Sequence, residues 1–360
     1  MWKGLIVLLL AVVLYFLFWP VPIDPVAWEA PEAPALEGPY ATNNKLSAVT
    51  WYARDFGVGP EDVAVDEAGW LYVGYEDGRI VRFDAQGQHP REMVNTGGRP
   101  LGLDFDPAGN LIIADGYKGL LLMAPDGDLS VLTTSANGLA FGFTDDVDVA
   151  EDGMIYFSDA SSKFGPAEKA RDDILEHGGH GRLLRYDLNN GTTTVLLDGL
   201  QFANGVAVSP DGESVLVAQT GSYNILRYWL KGEKAETYEV FFENLPGIPD
   251  GMSCNGRDTY WVALYAPRNA LLDALSGYPF LRKMSWRLPE IIQPQPAAHA
   301  FILGLGPDGT VTHNLQHKGP DSYHPITSVE QAGGKLFLGS LIQPAFASLP
   351  LPSLSSVNKN

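Results

Sequence analysis

Four oxygen-bearing side chains stand at the same place in a phrase that recurs along the chain: Glu61, Asp145, Asn204 and Asp250. Each lies where an alternating apolar strand begins, before a polar turn and a second strand. Three carboxylates and a carboxamide directed at one axis repel one another strongly unless a cation lies between them. Oxygen ligands favour Ca²⁺, since Mg²⁺ keeps its own waters and Zn²⁺ prefers the Cys and His that this set lacks. The four residues are therefore candidate calcium ligands.

A plainer interpretation exists for each of these residues alone. Asp and Asn are common where strands start, because their side chains satisfy the amides of nearby turns. Four such residues in one register favour a shared cation over four separate turns. The neighbouring carboxylates Asp62, Asp146 and Asp148 are expected to hold the ligands, or the backbone that carries them, in place.

The phrase that carries these residues occurs six times, beginning at Glu61, Leu101, Asp145, Asn204, Asp250 and Ile326. Several copies continue into a third strand, such as "GRIVRFD" and "GRLLRYD". Six such sheets arranged radially make an all-β, six-bladed β-propeller, whereas a β-sandwich would not need the same hairpin six times. Because the first strand of each blade lines the central channel, the four polar residues are predicted to form a ring at one channel mouth.

The repeats place the propeller over residues 46–352 and leave a tail at 353–360. Two insertions with helical stretches interrupt the pattern, at 163–180 and 267–292. The second insertion is aromatic and locally basic in an acidic chain, so we expect it to cap the propeller mouth or to touch lipid headgroups. A pair of helices packed on the surface is an equally good interpretation.

Charge and composition exclude one class of partner. The chain has 360 residues, a formal net charge of -19 and 45% hydrophobic residues. This composition is typical of a globular domain with a sizeable core. The acidity argues against nucleic acid as a partner, since binding it requires basic side chains that neutralise phosphates.

The first 22 residues, "MWKGLIVLLLAVVLYFLFWPVP", are predicted to be a transmembrane signal anchor. They carry no charge after Lys3 and are about as long as the ~20 residues that cross a bilayer. A cleaved signal peptide is the alternative, although its apolar part is usually only ~7–15 residues long. With Lys3 before the span and Asp24 after it, the N-terminus is expected in the cytoplasm and the propeller outside. Residues 23–45, rich in Pro and Ala, are predicted to be a linker that lifts the propeller off the membrane.

Several longer motifs resemble the strictosidine synthase-like family. They are "GRPLGLDFDPAGNLIIADGYKGLL", "FTDDVDVAEDGMIYFSDASSKF" and "FANGVAVSPDGESVLVAQTG". The resemblance covers roughly residues 45 to 350. More distantly it extends to paraoxonases and to the gluconolactonase and senescence-marker group, all of which are six-bladed propellers.

The resemblance implies a function for the ring. Paraoxonases and gluconolactonases hold a catalytic calcium ion at the channel mouth, and on matching motifs their ligands correspond to Glu61, Asp145, Asn204 and Asp250. Asp145 departs from the Asn of those relatives and adds a negative charge. The ligand set implied by the resemblance is the one that the repeat selects.

Two departures from the relatives narrow the chemistry. Strictosidine synthase uses a Glu as catalytic base where this chain has Thr327, and paraoxonases use a His where it has Leu101. The gluconolactonase pattern, in which a metal-bound Asp also moves protons, would assign that role to Asp250. His324 stands just before the sixth unit and is the second candidate for proton transfer.

The sequence therefore predicts a calcium-dependent hydrolase of small esters or lactones at the mouth of a β-propeller. Calcium would polarise the carbonyl, and a water activated by Asp250 would attack it. One alternative is a membrane-anchored binding or scaffold propeller in which calcium is purely structural. A synthase that forms carbon–nitrogen bonds is a third alternative, against which Thr327 counts.

Overall fold

The polar turns predicted from the sequence close the first hairpin of each sheet. In the turn "DPAGN", the carboxylate of Asp106 accepts hydrogen bonds from the backbone N–H groups of Ala108 and Asn110, at 2.9 and 2.8 Å. Gly109 follows with a φ of +82°, a conformation that favours glycine. A computed structural model describes residues 2–167 and 170–352, and such turns recur throughout it.

Short strands make up most of the described chain. The first nine in chain order are β1 (Thr50–Tyr52), β2 (Val63–Val65), β3 (Leu71–Gly74), β4 (Arg79–Phe83), β5 (Arg91–Asn95), β6 (Pro100–Phe105), β7 (Leu111–Asp115), β8 (Gly119–Met123) and β9 (Leu129–Thr133). The next ten are β10 (Ser135–Ala136), β11 (Leu139–Ala140), β12 (Thr144–Val149), β13 (Ile155–Asp159), β14 (Gly181–Asp187), β15 (Thr192–Leu200), β16 (Ala203–Val208), β17 (Ser214–Gln219), β18 (Asn224–Trp229) and β19 (Tyr238–Phe242). The last seven are β20 (Gly247–Cys254), β21 (Tyr260–Pro267), β22 (His299–Leu305), β23 (Val311–Lys318), β24 (Val329–Ala332), β25 (Lys335–Leu338) and β26 (Phe346–Pro350).

In the described part of the chain these strands form six four-stranded antiparallel sheets and one small hairpin, β10–β11. Blades one to five are β2–β5, β6–β9, β12–β15, β16–β19 and β20–β23. The sixth blade combines β24, β25 and β26 with β1 from the start of the domain, where Trp51 lies opposite Ala347. This pairing closes the propeller with strands from both ends of the domain.

The first strand of every blade is the inner strand. Inner strands of adjacent blades contact one another in a closed cycle, from β2 through β6, β12, β16, β20 and β24 back to β2. Six separate hydrophobic clusters fill the spaces between neighbouring blades. The prediction of an all-β, six-bladed β-propeller is confirmed.

A single helix, α1 (Trp2–Phe18), precedes the propeller and has no buried residue. It ends before Pro20, since the residue before a proline disfavours the helical conformation. At ~1.5 Å per residue it is roughly 25 Å long, against about 30 Å for the hydrocarbon core of a bilayer. No helix in residues 2–167 or 170–352 is long and apolar enough to cross a membrane. The transmembrane anchor predicted over residues 1–22 is therefore not confirmed.

The residues between α1 and the first strand lie against the propeller. Within 23–45, the backbone N–H of Val26 donates to the carbonyl of Glu176 at 2.8 Å. The indole of Trp28 stacks on the imidazole of His177, with ring centroids 4.1 Å apart. Two short 3-10 turns, Gly38–Tyr40 and Lys45–Ala48, lead into β1. The predicted linker follows the protein surface, because it carries apolar side chains that pack on the domain.

The two predicted insertions both contain helices, and both lie at one end of the propeller. They hold α2 (Ala170–Glu176), then α3 (Ala270–Ala274), α4 (Pro279–Trp286) and a 3-10 turn at Glu290–Ile292. Each insertion joins the second and third strands of its blade. In an antiparallel sheet that connection lies at the end where the inner strand begins. The helices therefore lie at the channel mouth that carries the candidate ligands. The predicted tail, 353–360, lies outside the described residues.

The closure of the propeller can be tested at Phe346, which is fully buried on β26. The centroid of its ring lies 5.2 Å from the ring centroid of Tyr52 on β1 and 5.3 Å from that of Phe83 in the first blade. Phe346→Ala should lower the free energy of unfolding by about 3–5 kcal/mol, measured in urea. Val131→Ala, at a position on β9 that is 61% exposed, should change it by less than about 0.5 kcal/mol. Equal urea midpoints for both variants would refute this account of closure.

Candidate functional site: a carboxylate ring at the channel mouth

The residues that begin the inner strands converge on one small pocket at the propeller axis. Its lining residues are Glu61, Asp62, Leu101, Asp145, Asp146, Asn204, Asp250, Gly251, Thr327 and Ser328. The pocket has a volume of about 10 Å³, which suits one ion or one water molecule. All four residues proposed as ligands are therefore brought together.

The sixth position of the ring differs from the expected one. Ile326 is fully buried in the hydrophobic cluster between blades five and six. Thr327, one residue later, lines the pocket instead, and its Oγ1 donates a hydrogen bond to the backbone oxygen of Glu61 at 2.9 Å. The sixth unit therefore begins one residue later than the repeat predicts, because its turn "QAGGK" differs from the others.

Irregularities in the inner strands aim the ligands at the axis. Asp145, Asn204 and Asp250 each lie where the pairing register of the inner strand shifts, as at a β-bulge. The glycine that follows Asn204 is required by a close approach. A Cβ atom on Gly205 would lie 2.5 Å from the backbone oxygen of Asp250, so no other residue fits beside the next inner strand.

Two contacts fix the orientation of ring side chains. The amide Nδ2 of Asn204 donates to Oδ1 of Asp250 at 2.7 Å, which leaves the Asn204 oxygen as the atom that can act as a ligand. The guanidinium Nη2 of Arg99 lies 3.4 Å from Oε2 of Glu61. Sequence reasoning missed Arg99, although it stands two residues before Leu101, the second-blade position of the ring. A partner for the ring carboxylates could have been sought there.

The ring is electrostatically strained. Burial raises the pKa of Asp145 well above its usual value, and the nearby carboxylates Glu61 and Asp250 raise it further. Burial and then Glu61 raise the pKa of Asp250 in the same way, against the hydrogen bond from Asn204. The pKa of Glu61 rises to about 7, mainly through burial, although Arg99 opposes the shift. The charge of Glu61 thus raises the pKa of both aspartates around a pocket with room for one cation.

The donor set fits a hard divalent cation. Of the described residues that line the pocket, none is basic, and the oxygen donors include the three ring carboxylates and an amide. Two positive charges from the ion and one from Arg99 would balance the three ring carboxylates. Within the described ranges, no three His, Cys, Asp or Glu side chains are yet drawn together as a closed metal site.

The neighbouring carboxylates hold the inner strands together. Oδ2 of Asp62 in blade one accepts a hydrogen bond from the N–H of Leu103 in blade two, at 2.8 Å. Oδ2 of Asp146 in blade three accepts from the N–H of Val206 in blade four, also at 2.8 Å. Asp148 forms a similar bond to blade four at 2.7 Å. These half-buried carboxylates join adjacent inner strands and so hold the ring residues in place.

A second cavity of about 110 Å³ lies further along the channel. Three carboxylates line it at positions three residues beyond the ring: Asp104, Asp148 and Glu330. Burial and the neighbouring Asp62 and Asp148 raise the pKa of Glu330 well above its usual value. Sequence reasoning missed Asp104 and Glu330, although the register of the repeat, counted from Leu101 and Thr327, contains them.

His324 is not among the residues that line the pocket. Its Nδ1 lies 2.8 Å from Oγ and 3.0 Å from the backbone oxygen of Ser322, two residues earlier. These two contacts orient the imidazole of His324 but do not bring it to the ring carboxylates. The catalytic role assigned to His324 from its position in the sequence stays a prediction.

Comparisons with known proteins agree with the fold. A family model described as strictosidine synthase matches residues 145–233, and one described as strictosidine synthase-like, N-terminal, matches residues 38–83. The chain is 37% identical to protein strictosidine synthase-like 10 of Arabidopsis thaliana, over 79% of this chain and 83% of that one. It is 32% identical to the adipocyte plasma membrane-associated protein of Salmo salar, over 96% and 88%.

Among solved structures, the chain is similar to a gluconolactonase from Xanthomonas campestris, with a TM-score of 0.61, 20% identity and coverage of 93% of this chain and 99% of that one. It is also similar to regucalcin, a calcium-binding protein from Agrobacterium tumefaciens, with a TM-score of 0.57, 14% identity and coverage of 83% and 90%. At these identities the two structures establish the propeller fold only.

The raised carboxylate pKa values predict how stability depends on pH. The pKa of Glu61 is about 7 in the folded chain against an ordinary value of 4.5, so its contribution to stability is complete below pH 4.5 and is lost as pH rises through 7. The metal-free protein should therefore melt at a lower temperature at about pH 8 than at about pH 6. Calcium should raise the melting temperature more at the higher pH, because protons no longer compete for the ring. A calcium effect that is larger at the lower pH would contradict this picture.

Proposed function

For this chain, which belongs to the strictosidine synthase-like family, we propose the activity of a calcium-dependent hydrolase of small esters or lactones. The observation that carries this proposal is the convergence of three carboxylates, two of them buried, and one carboxamide on a pocket the size of one ion. Two proteins of the same fold indicate the class, one a gluconolactonase and the other a calcium-binding protein. We extend lactone hydrolysis and calcium binding from them to this chain.

We propose separate roles for the four ring residues and for Arg99. Glu61, Asp145, Asp250 and the side-chain oxygen of Asn204 would hold the ion. When bound, calcium polarises a carbonyl group and stabilises the negative charge that develops on its oxygen. Arg99 holds Glu61 in place, and its guanidinium would add one positive charge to the two of the calcium ion.

Asp250 is the residue that we propose takes the proton from the attacking water. Burial and the charge of Glu61 raise the pKa of its carboxyl group above the ordinary value, and a bound cation would offset part of this rise. The hydrogen bond from Asn204 fixes one oxygen, so the other is the atom that would accept the proton. This geometry needs neither the His of paraoxonases nor the Glu of strictosidine synthase.

A non-catalytic propeller with structural calcium is the second candidate. The bonds from Asp62 and Asp146 to neighbouring strands favour it, because they show carboxylates of this channel acting as joints between blades. A synthase of the strictosidine type is the weakest candidate. Thr327 occupies the position of its base, and its hydroxyl is already used in a bond to Glu61.

We also propose that the protein acts at a membrane, with the propeller on the extracytoplasmic side. One relative is named adipocyte plasma membrane-associated protein. In this chain α1 carries no charge beyond Lys3 and leaves every described side chain unburied, as expected for a helix that contacts lipid.

Removal of calcium tests the hydrolase directly. Dialysis against a calcium chelator should abolish the hydrolysis of phenyl acetate and of small lactones, and added Ca²⁺ should restore it. Unchanged hydrolysis after chelation would remove the metal from the reaction.

The variant Asp250→Asn, assayed at saturating Ca²⁺, tests the proposed base. It keeps the shape of the side chain but removes the base, so kcat should fall by about 10²-fold or more. Asp198→Asn, at an exposed position on β15, is the matched control and should leave kcat unchanged. If the wild-type protein hydrolyses no ester at any calcium level and Asp250→Asn lowers only the melting temperature, the structural alternative holds.

A further inference from the structure

The second insertion exposes an apolar surface at the end of the propeller that carries the ring. Its large apolar side chains that face solvent are Leu271, Tyr278, Phe280, Leu281, Ile291 and Ile292. Ile291 is 91% exposed and Ile292 is 60% exposed. Single apolar side chains on a surface need no explanation, but six within one short segment indicate a contact surface. We name Phe280, Leu281, Ile291 and Ile292 the apolar ridge.

Two arginines of this insertion, Arg282 and Arg287, are directed inward. Arg282 is 2% exposed and donates hydrogen bonds to the backbone oxygens of Leu175 and Ser276, at 2.8 and 2.9 Å. Arg287 is 6% exposed and donates to the backbone oxygens of Trp19 and Phe16, at 2.7 and 2.9 Å. These bonds keep both guanidinium groups away from the outer surface of the insertion. Neither arginine therefore places its charge beside the apolar ridge.

The same contacts tie the ridge to α1. Arg287 binds two carbonyls at the end of that helix, and the hydroxyl of Tyr15 donates to the backbone oxygen of Arg287 at 3.1 Å. Lys283 pairs with Asp24 just beyond, at 2.8 Å. The insertion that carries the ridge is therefore joined to the end of α1. A bilayer that receives α1 would lie beside the same insertion.

We propose that the apolar ridge inserts into the surface of a lipid bilayer beside α1. The proposal rests on the membrane association proposed for α1, and it adds an orientation. The end of the propeller with the carboxylate ring faces the membrane. Transfer of apolar side chains such as Leu and Ile from water to an apolar phase is favourable, so the ridge strengthens the attachment appreciably. Substrates dissolved in the bilayer would then reach the channel mouth without crossing bulk water.

Position-specific fluorescence quenching tests this orientation in the full-length chain. Ile291→Cys is labelled with a bimane fluorophore in a Cys254→Ser background and mixed with phosphatidylcholine vesicles whose acyl chains carry bromine. The label at 291 should lose most of its emission relative to vesicles without bromine. The matched control is Val131→Cys, whose position on β9 is 61% exposed but lies outside both insertions. Its label should keep its emission.

Flotation of the same samples separates the possible failures. If the protein floats with vesicles but the label at 291 is not quenched, α1 binds lipid and the ridge does not, which overturns the proposal. Equal quenching at 291 and 131 would also overturn it, since it would show no preferred orientation. Absence of flotation would overturn both this proposal and the association of α1. Hydrolysis of phenyl acetate without lipid reports the proposed hydrolase independently of all three outcomes.

Discussion

Mutual repulsion among buried carboxylates on the propeller axis is the constraint on which the rest of the site depends. A radial arrangement of blades brings the start of every inner strand to one point. Glu61, Asp145 and Asp250 meet there; Glu61 raises the pKa of both aspartates, and Asp250 raises that of Asp145. The fold holds this arrangement only if protons or a cation supply positive charge. We propose that a divalent ion, held at the mouth of the channel, supplies that charge.

The same channel shows how carboxylates are used for structure. Hydrogen-bonded ladders run within each blade but not between blades, so inner strands need other joints. Asp62 and Asp146 supply them by accepting backbone N–H groups from the next blade. Glycines make the joints close enough, as the tight contact of Gly205 with the backbone of Asp250 shows. Structural carboxylates and candidate ligands thus lie next to one another on the inner strands. The negative charges of Asp62 and Asp146 add to the negative potential around the ring.

Much of this was readable from the sequence because each blade repeats one turn chemistry. Turns such as the one formed by Asp106 and Gly109 are recognisable from their residue types. Counting back from each turn to the start of its inner strand gives the ring residues Glu61, Asp145, Asn204 and Asp250. In the sixth repeat the ring position was predicted at Ile326, one residue too early, because the turn of that repeat lacks the acidic residue. Contacts between distant segments, such as Arg99 with Glu61, leave no periodic trace in a single sequence. The extent of α1 was overestimated because an apolar run does not show where its helix ends.

The most direct test of the account is a count of bound calcium ions by equilibrium dialysis. The wild-type chain should bind at least one ion, and Asp145→Ala should bind one fewer, while Asp198→Ala, at an exposed position, should match the wild type. The loss should accompany an unchanged propeller, checked by circular dichroism. Equal calcium content in Asp145→Ala and the wild type, or no bound calcium in either, would contradict the claim that this ring is built around a cation.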